Sequence, residues 1–135
     1  MPPTTAAGYS GTPLPKKLGI KAGSTLLLMN APTGFRRTLG ELPDDVRVVA
    51  RAGRPVDTAV WFVTSRKEFD RGIALAATCA QGLWVAWPKK ASGIVTDISE
   101  NLIRDGALAH GIVDYKVCAI DAVWSGLKFA KRRTK

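Results

Sequence analysis

Apolar residues along this chain come in short bursts between turn formers, and the stretch from Asp57 to Lys90 shows the pattern most clearly. Val60-Trp61-Phe62-Val63 is an apolar run too short for a helix and rich in β-formers. Ser65 stands three residues before Glu68, the reciprocal arrangement that satisfies two orphan N–H groups at a helix start. Phe69, Ile73, Ala76, Ala77 and Ala80 then recur at helical spacing and predict one stripe facing a sheet. Gly82 falls where a left-handed C-terminal cap belongs. Leu83-Trp84-Val85-Ala86-Trp87 follows as a second apolar run, ended by Pro88. Strands apolar on both faces and joined by a helix imply a parallel sheet covered on both sides.

The flanking segments extend that reading. Pro15 to Ile20 predicts a single helical turn stopped by Gly19, and Thr25–Met29 a first strand. Asn30-Ala31-Pro32-Thr33-Gly34 turns the chain into a short helix over Phe35–Leu42. Pro43-Asp44-Asp45 is a turn, and Val46–Ala50 a second strand broken by Gly53-Arg54-Pro55. The strand about Thr58–Val63 is the third, and Leu83–Trp87 the fourth. Asp97 with Glu100 reads as a capping pair for a helix to about Ala109, closed by Gly111. Ile112–Asp121 and Trp124–Lys131 are extended, and the gap between them suits an antiparallel hairpin. The predicted order is β-α-β-β-α-β-α-β-β. Right-handed crossovers make strands three and four parallel and adjacent or nearly so. A three-layer α/β sandwich follows, with the hairpin at or near one side.

Composition narrows the class more than the activity. The 135 residues suit one domain over 14–130, with an irregular arm over 1–13 and a basic tail over 131–135. No run approaches the roughly 18 apolar residues a membrane span needs, and Met1-Pro2-Pro3-Thr4-Thr5 has no secretory pattern. Cys79 and Cys118 read as buried reduced thiols in a cytoplasmic protein. The net charge of +9 suggests nucleic acid until it is located. Lys16, Lys17, Lys21, Lys131, Arg132, Arg133 and Lys135 supply seven of those charges, leaving +2 over residues 25–130. Basic ends of this kind associate loosely with polyanions, while the body is nearly neutral.

The order of elements resembles a shortened class I methyltransferase fold, in the pieces Asp57–Thr64, Leu83–Pro88 and the closing Tyr115–Phe129 pair. Leu18 through Leu26 is similar to the lead-in to that fold's first strand. Several blocks also resemble an uncharacterised bacterial family, domain of unknown function 3052. These are Gly8-Tyr9-Ser10-Gly11-Thr12-Pro13-Leu14, Trp87-Pro88-Lys89-Lys90-Ala91-Ser92-Gly93, Asp114 through Ala119, and Trp124-Ser125-Gly126-Leu127-Lys128. The resemblance implies a mostly parallel, Rossmann-like (methyltransferase-like) sheet with a C-terminal antiparallel hairpin, in a cytoplasmic bacterial setting. It brings no assigned activity. The methyltransferase pattern places a glycine-rich turn after strand one and an acid at the end of strand two. Here the turn holds a proline and one glycine, and the second strand ends Ala50-Arg51. Binding of S-adenosylmethionine is therefore disfavoured, and no cofactor is expected.

Ligands of open α/β sheets sit beyond the carboxyl ends of the strands. Those ends supply Thr64, Ser65, Lys89, Lys90 and Ser92 as candidates for binding a phosphate or carboxylate, with helix N-termini adding to the field. The competing reading makes Ser65 only a cap and the lysines only solvated. Trp87 and Trp124, near strand ends, are candidates for stacking on a ring or base, against core packing. His110, the only histidine, sits at a helix end and suits the last carbonyls. No nucleophile–base pair and no set of three or four converging metal ligands can be drawn. The expectation is a binding or regulatory protein, leaning away from enzyme, for an anionic small molecule or protein partner. The alternatives are weak nucleic-acid binding through the basic ends and, disfavoured, an active methyltransferase.

Overall fold

A computed structural model describes residues 12–131; most of the irregular arm expected over 1–13 and the basic tail beyond Lys131 lie outside the described residues. The described residues form eleven elements, and all six strands among them join one sheet. In chain order the elements are α1 (Leu14–Leu18), β1 (Thr25–Met29), α2 (Phe35–Leu39), β2 (Arg47–Val49) and β3 (Val56–Phe62). Then come α3 (Arg66–Ala76), β4 (Ala80–Pro88), α4 (Glu100–Ala109), β5 (Ile112–Ala119) and β6 (Trp124–Lys131), with a 3₁₀ turn at Lys90–Ser92. The sheet order is β2-β1-β3-β4-β6-β5. The first four strands of that order are mutually parallel, while β6 runs antiparallel to both β4 and β5.

The central stretches Ala59–Val63 and Leu83–Trp87 are apolar at every position because each face covers a different core. Ala59, Trp61 and Val63 of the β3 segment join Leu83, Val85 and Trp87 of β4 beneath α3 and α4. Val60, Phe62, Trp84 and Ala86 point the other way, toward α1 and α2. Period-two alternation thus divides one apolar run between two cores. Trp84 has no exposed surface, and its indole N–H donates to the Leu18 carbonyl at 2.9 Å, pinning α1 to the sheet.

Local sequence signals act mostly where expected, with four shifts. Ser65 caps α3 by accepting from the Glu68 N–H at 3.1 Å, but Glu68 reaches back to the Thr64 N–H at 2.7 Å rather than to that of the cap. Gly82 is not a helix cap: α3 ends at Ala76, and Ala80 and Gly82 already belong to β4. The missing side chain of Gly82 serves the sheet instead, since Lys128 crosses its position. Asp97 does not cap α4, which Ser99 does by accepting from the Leu102 N–H at 3.2 Å. The second helix also stops early, at Leu39, where Gly40 takes φ 77°.

Candidate functional site

The crossover β1-α2-β2 leaves one side of β1, and β3-α3-β4 leaves the opposite side of β3. Their helices lie on opposite faces: Phe35 and Leu39 of α2 pack in one core, and Phe69 and Ile73 of α3 in the other. The direction of winding therefore reverses between β1 and β3, and a crevice opens beyond the carboxyl ends at such a reversal. A cavity of about 340 Å³ lies there, lined by Asn30, Trp61, Ser65, Lys67, Glu68, Arg71 and Gly72. Asn30, directly after β1, adopts φ 58°, one of two non-glycine residues in the left-handed region among the described residues. Trp61 forms the floor and stacks on Phe69 with centroids 5.6 Å apart. An adjoining, more open depression of about 430 Å³, lined also by Arg66, Asp70 and Asp97, shares Lys67 and Arg71 with it.

Loops 64–65 and 89–93 emerge at one edge, as parallel pairing of β3 and β4 requires. What they do there differs between residues. The α3 N-terminus is already filled by the chain's own carboxylates: Asp97 accepts from the Arg66 N–H at 2.7 Å, and Glu68 from Thr64. The Thr64 carbonyl also accepts from the Thr96 hydroxyl. Ser65 and Thr64 thus serve the capping network. Ser92 donates to the Lys89 carbonyl at 2.6 Å and accepts from the Ile94 N–H at 3.2 Å, which shapes the 3₁₀ turn. Lys89 is half-buried and anchored by its own N–H to the Val123 carbonyl at 2.8 Å, while Lys90 is exposed.

The stacking surface is not formed. Trp87 and Trp124 are each 8% exposed and sit in different cores on opposite faces of the sheet. Trp124 meets Phe62 edge-on at 5.0 Å. Antiparallel register explains this: Trp87 pairs with Ser125, so Trp124 is one residue out of phase and faces away.

Sequence reasoning passed over Lys67 and Arg71, the two cations that line the crevice. Their signal lay in position alone, in the first two turns of the helix after the reversal point. Both are exposed and neither is in an ion pair among the described residues. Arg66, by contrast, lies 3.7 Å from Asp70, and Arg104 pairs with Asp114 at 3.0 Å and with Glu100. His110 Nδ1 lies 3.0 Å from the Gly106 carbonyl, near its helix end. Cys79 and Cys118 are free thiols, the first buried and the second half-buried, and burial pushes both up from the usual thiol range. No group of three His, Cys, Asp or Glu side chains converges among the described residues.

A larger groove of about 870 Å³ lies on the α1–α2 face, away from the sheet's winding reversal. Its walls are chiefly Leu14, Ile20, Leu39, Leu42 and Ile120, and it borders Thr12, where the described residues begin.

Solved structures share this architecture. One is a protein assigned as a type 11 methyltransferase from Sulfolobus solfataricus, 11% identical, with a TM-score of 0.61 over 90% of this chain and 91% of that one. The fold is methyltransferase-like. Magnesium protoporphyrin IX methyltransferase from Synechocystis PCC 6803, solved with bound S-adenosylmethionine, matches 89% of this chain and 74% of its own at 12% identity and a TM-score of 0.54. The [4+2]-cyclase SpnF matches 90% of this chain and 80% of its own at 9% identity and a TM-score of 0.55. At such identities the likeness concerns fold alone, and the cyclase shows that the fold does not name the reaction. No family model and no curated protein matches the chain, so neither comparison supports the resemblance to domain of unknown function 3052.

The residues at the carboxyl edge depart in two places from the pattern that holds S-adenosylmethionine. Asn30 supplies a left-handed bend after β1, yet its side chain stands where glycine would let the backbone approach a ligand. Beyond β2 the exposed Arg51 places a cation where an acid would hold ribose hydroxyls.

Proposed function

We propose that this is a binding or regulatory protein, cytoplasmic and of bacterial type, that recognises an anionic small molecule at the carboxyl edge of a methyltransferase-like scaffold. The observation that carries this reading is the crevice at the winding reversal, with Lys67 and Arg71 on its wall and no ion-pair partner for either among the described residues. Lys89 and Lys90 extend the cationic rim along the same edge. Glu68 also lines the crevice, but its carboxylate already accepts from Thr64. Of the other sequence candidates, Ser65 lines the crevice while capping α3, and Thr64 and Ser92 shape the backbone around it. Membership of domain of unknown function 3052 belongs to the same proposal and rests on the sequence blocks. Among the described residues no helix is long and apolar enough to cross a membrane.

The test is a thermal-shift and calorimetric screen of phosphorylated metabolites, nucleotides, carboxylates and S-adenosylmethionine. A ligand at a hundred times its Kd stabilises the native state by about 2.7 kcal/mol. Arg71→Ala and Lys67→Ala should each weaken the hit, and Lys89→Ala/Lys90→Ala should weaken it further. A hit that survives all four substitutions removes the site. A shift by S-adenosylmethionine alone favours the second reading, an active methyltransferase, for which the fold speaks. Polyanion binding that falls steeply with salt and needs residues 131–135 would point to nucleic acid through the tail.

A further inference from the structure

A second cationic cluster lies at the opposite edge of the sheet, on the face covered by α1. Lys128 on β6 stands directly across from Lys116 on β5, a like-charge pair that destabilises two strands. The Lys128 ammonium lies 5.7 Å from the Trp84 ring centroid and 3.4 Å from the Leu18 carbonyl at the end of α1. Two glycines make its path: a β-carbon on Gly19 would meet the ammonium at 2.8 Å, and one on Gly82 would meet Cε at 3.0 Å. Burial first, then the charges of Lys116 and Lys21, pushes Lys128 below the ordinary lysine range. Beside it opens a cleft of about 330 Å³ walled by Lys21, Ser24, Thr58, Gln81 and Tyr115. Asp57 is the one carboxylate on that wall, and its Oδ2 accepts from the Thr25 N–H at 2.9 Å.

None of Lys21, Lys116 and Lys128 has an ion-pair partner among the described residues. Three neighbouring ammonium groups without a counter-ion raise the free energy of the folded chain, and a multivalent anion with hydrogen-bonding oxygens relieves all three at once. We propose that this amino-edge cleft binds a phosphate group, held by Lys128 and Lys21 with Lys116 beside them. Tyr115, 59% exposed with the Lys128 ammonium 5.9 Å from its ring centroid, offers a face to whatever carries the phosphate. The cleft lies at the other edge of the sheet from the crevice of Lys67 and Arg71, so the two sites stand or fall separately.

The experiment titrates the full chain with inorganic phosphate and with a nucleoside monophosphate, following melting temperature and binding heat at constant ionic strength. Lys128→Met keeps an apolar stem over Trp84, and Lys21→Met alters an exposed residue that cannot prevent folding. Each should weaken phosphate binding about tenfold, the scale of one close charge–charge contact, while Arg71→Ala leaves it intact. Tighter binding of the nucleotide than of phosphate identifies a ring-bearing ligand, and equal binding identifies free phosphate; both support the site. Undiminished binding in Lys128→Met and Lys21→Met overturns it. So does loss in Arg71→Ala alone, which assigns the anion to the carboxyl edge, or an equal shift with chloride, which is screening.

Discussion

Replacing Gly106 by alanine sets helix propensity against packing, and the structure decides between them. Gly106 lies inside α4, where alanine would gain about 1 kcal/mol in an exposed helix. Its added β-carbon, however, would fall 2.4 Å from Phe69 Cε2 and 3.0 Å from Cζ. Phe69 is 1% exposed and stacks on Trp61 at an interplanar angle of 18°. Trp61 has no retreat, because its Cζ2 already lies 2.4 Å from where a β-carbon on Gly72 would sit. The two glycines bracket a ring pair that fills the space between α4 and α3. Overpacking of a core that cannot relax costs about 1–3 kcal/mol beyond what propensity returns. We expect Gly106→Ala to lose about 1–2 kcal/mol in urea denaturation and to melt about 5 °C lower. Phe69→Leu in the same chain should make the two changes less than additive. A Gly106→Ala protein more stable than wild type would show that the rings move freely and refute the argument.

Other expectations follow from single contacts. Trp84→Phe removes the buried indole donor from the Leu18 carbonyl and should cost about 2 kcal/mol, read by chemical denaturation; a loss under about 0.5 kcal/mol would mean that α1 is held otherwise. Asp97→Ala uncaps the Arg66 N–H and should cost about 1 kcal/mol, with faster amide exchange confined to the first turn of α3, while Asp97→Asn retains part of the effect. Lys128 titrates below the ordinary lysine range when folded, so the unfolded chain binds more protons there and stability from this group rises with pH between the folded and ordinary values. The two thiols, shifted up, act in the opposite direction, but they are common to wild type and Lys128→Met. Wild type should therefore gain on Lys128→Met as pH climbs through the alkaline range in parallel melts, and a flat difference would contradict the burial of that charge.

The chain order of strands and helices was legible because each element carries its own periodicity or cap: Val60–Val63 and Leu83–Trp87 as two-sided strands, and Ser65 with Glu68 at a helix start. Parallel pairing of β3 with β4 followed from the handedness of the crossover. Local pattern could not say which partner a polar group takes across the fold. Asp97 looks like the cap of the helix three residues ahead, yet it serves a helix 31 residues back in sequence. Gly82 looks like a helix stop until Lys128, from the far end of the chain, crosses it. Trp87 and Trp124 look like neighbours at strand ends, and the register of β6 against β4 sends them to opposite faces. Lys67 and Arg71 carried no motif, and the block that contains Lys128 said nothing of its setting. Their setting depends on where the sheet reverses its winding and on which chains lie across a half-buried ammonium. Apolar burial is encoded residue by residue, whereas the environment of a charge is the sum of distant groups that only folding brings within a few ångströms.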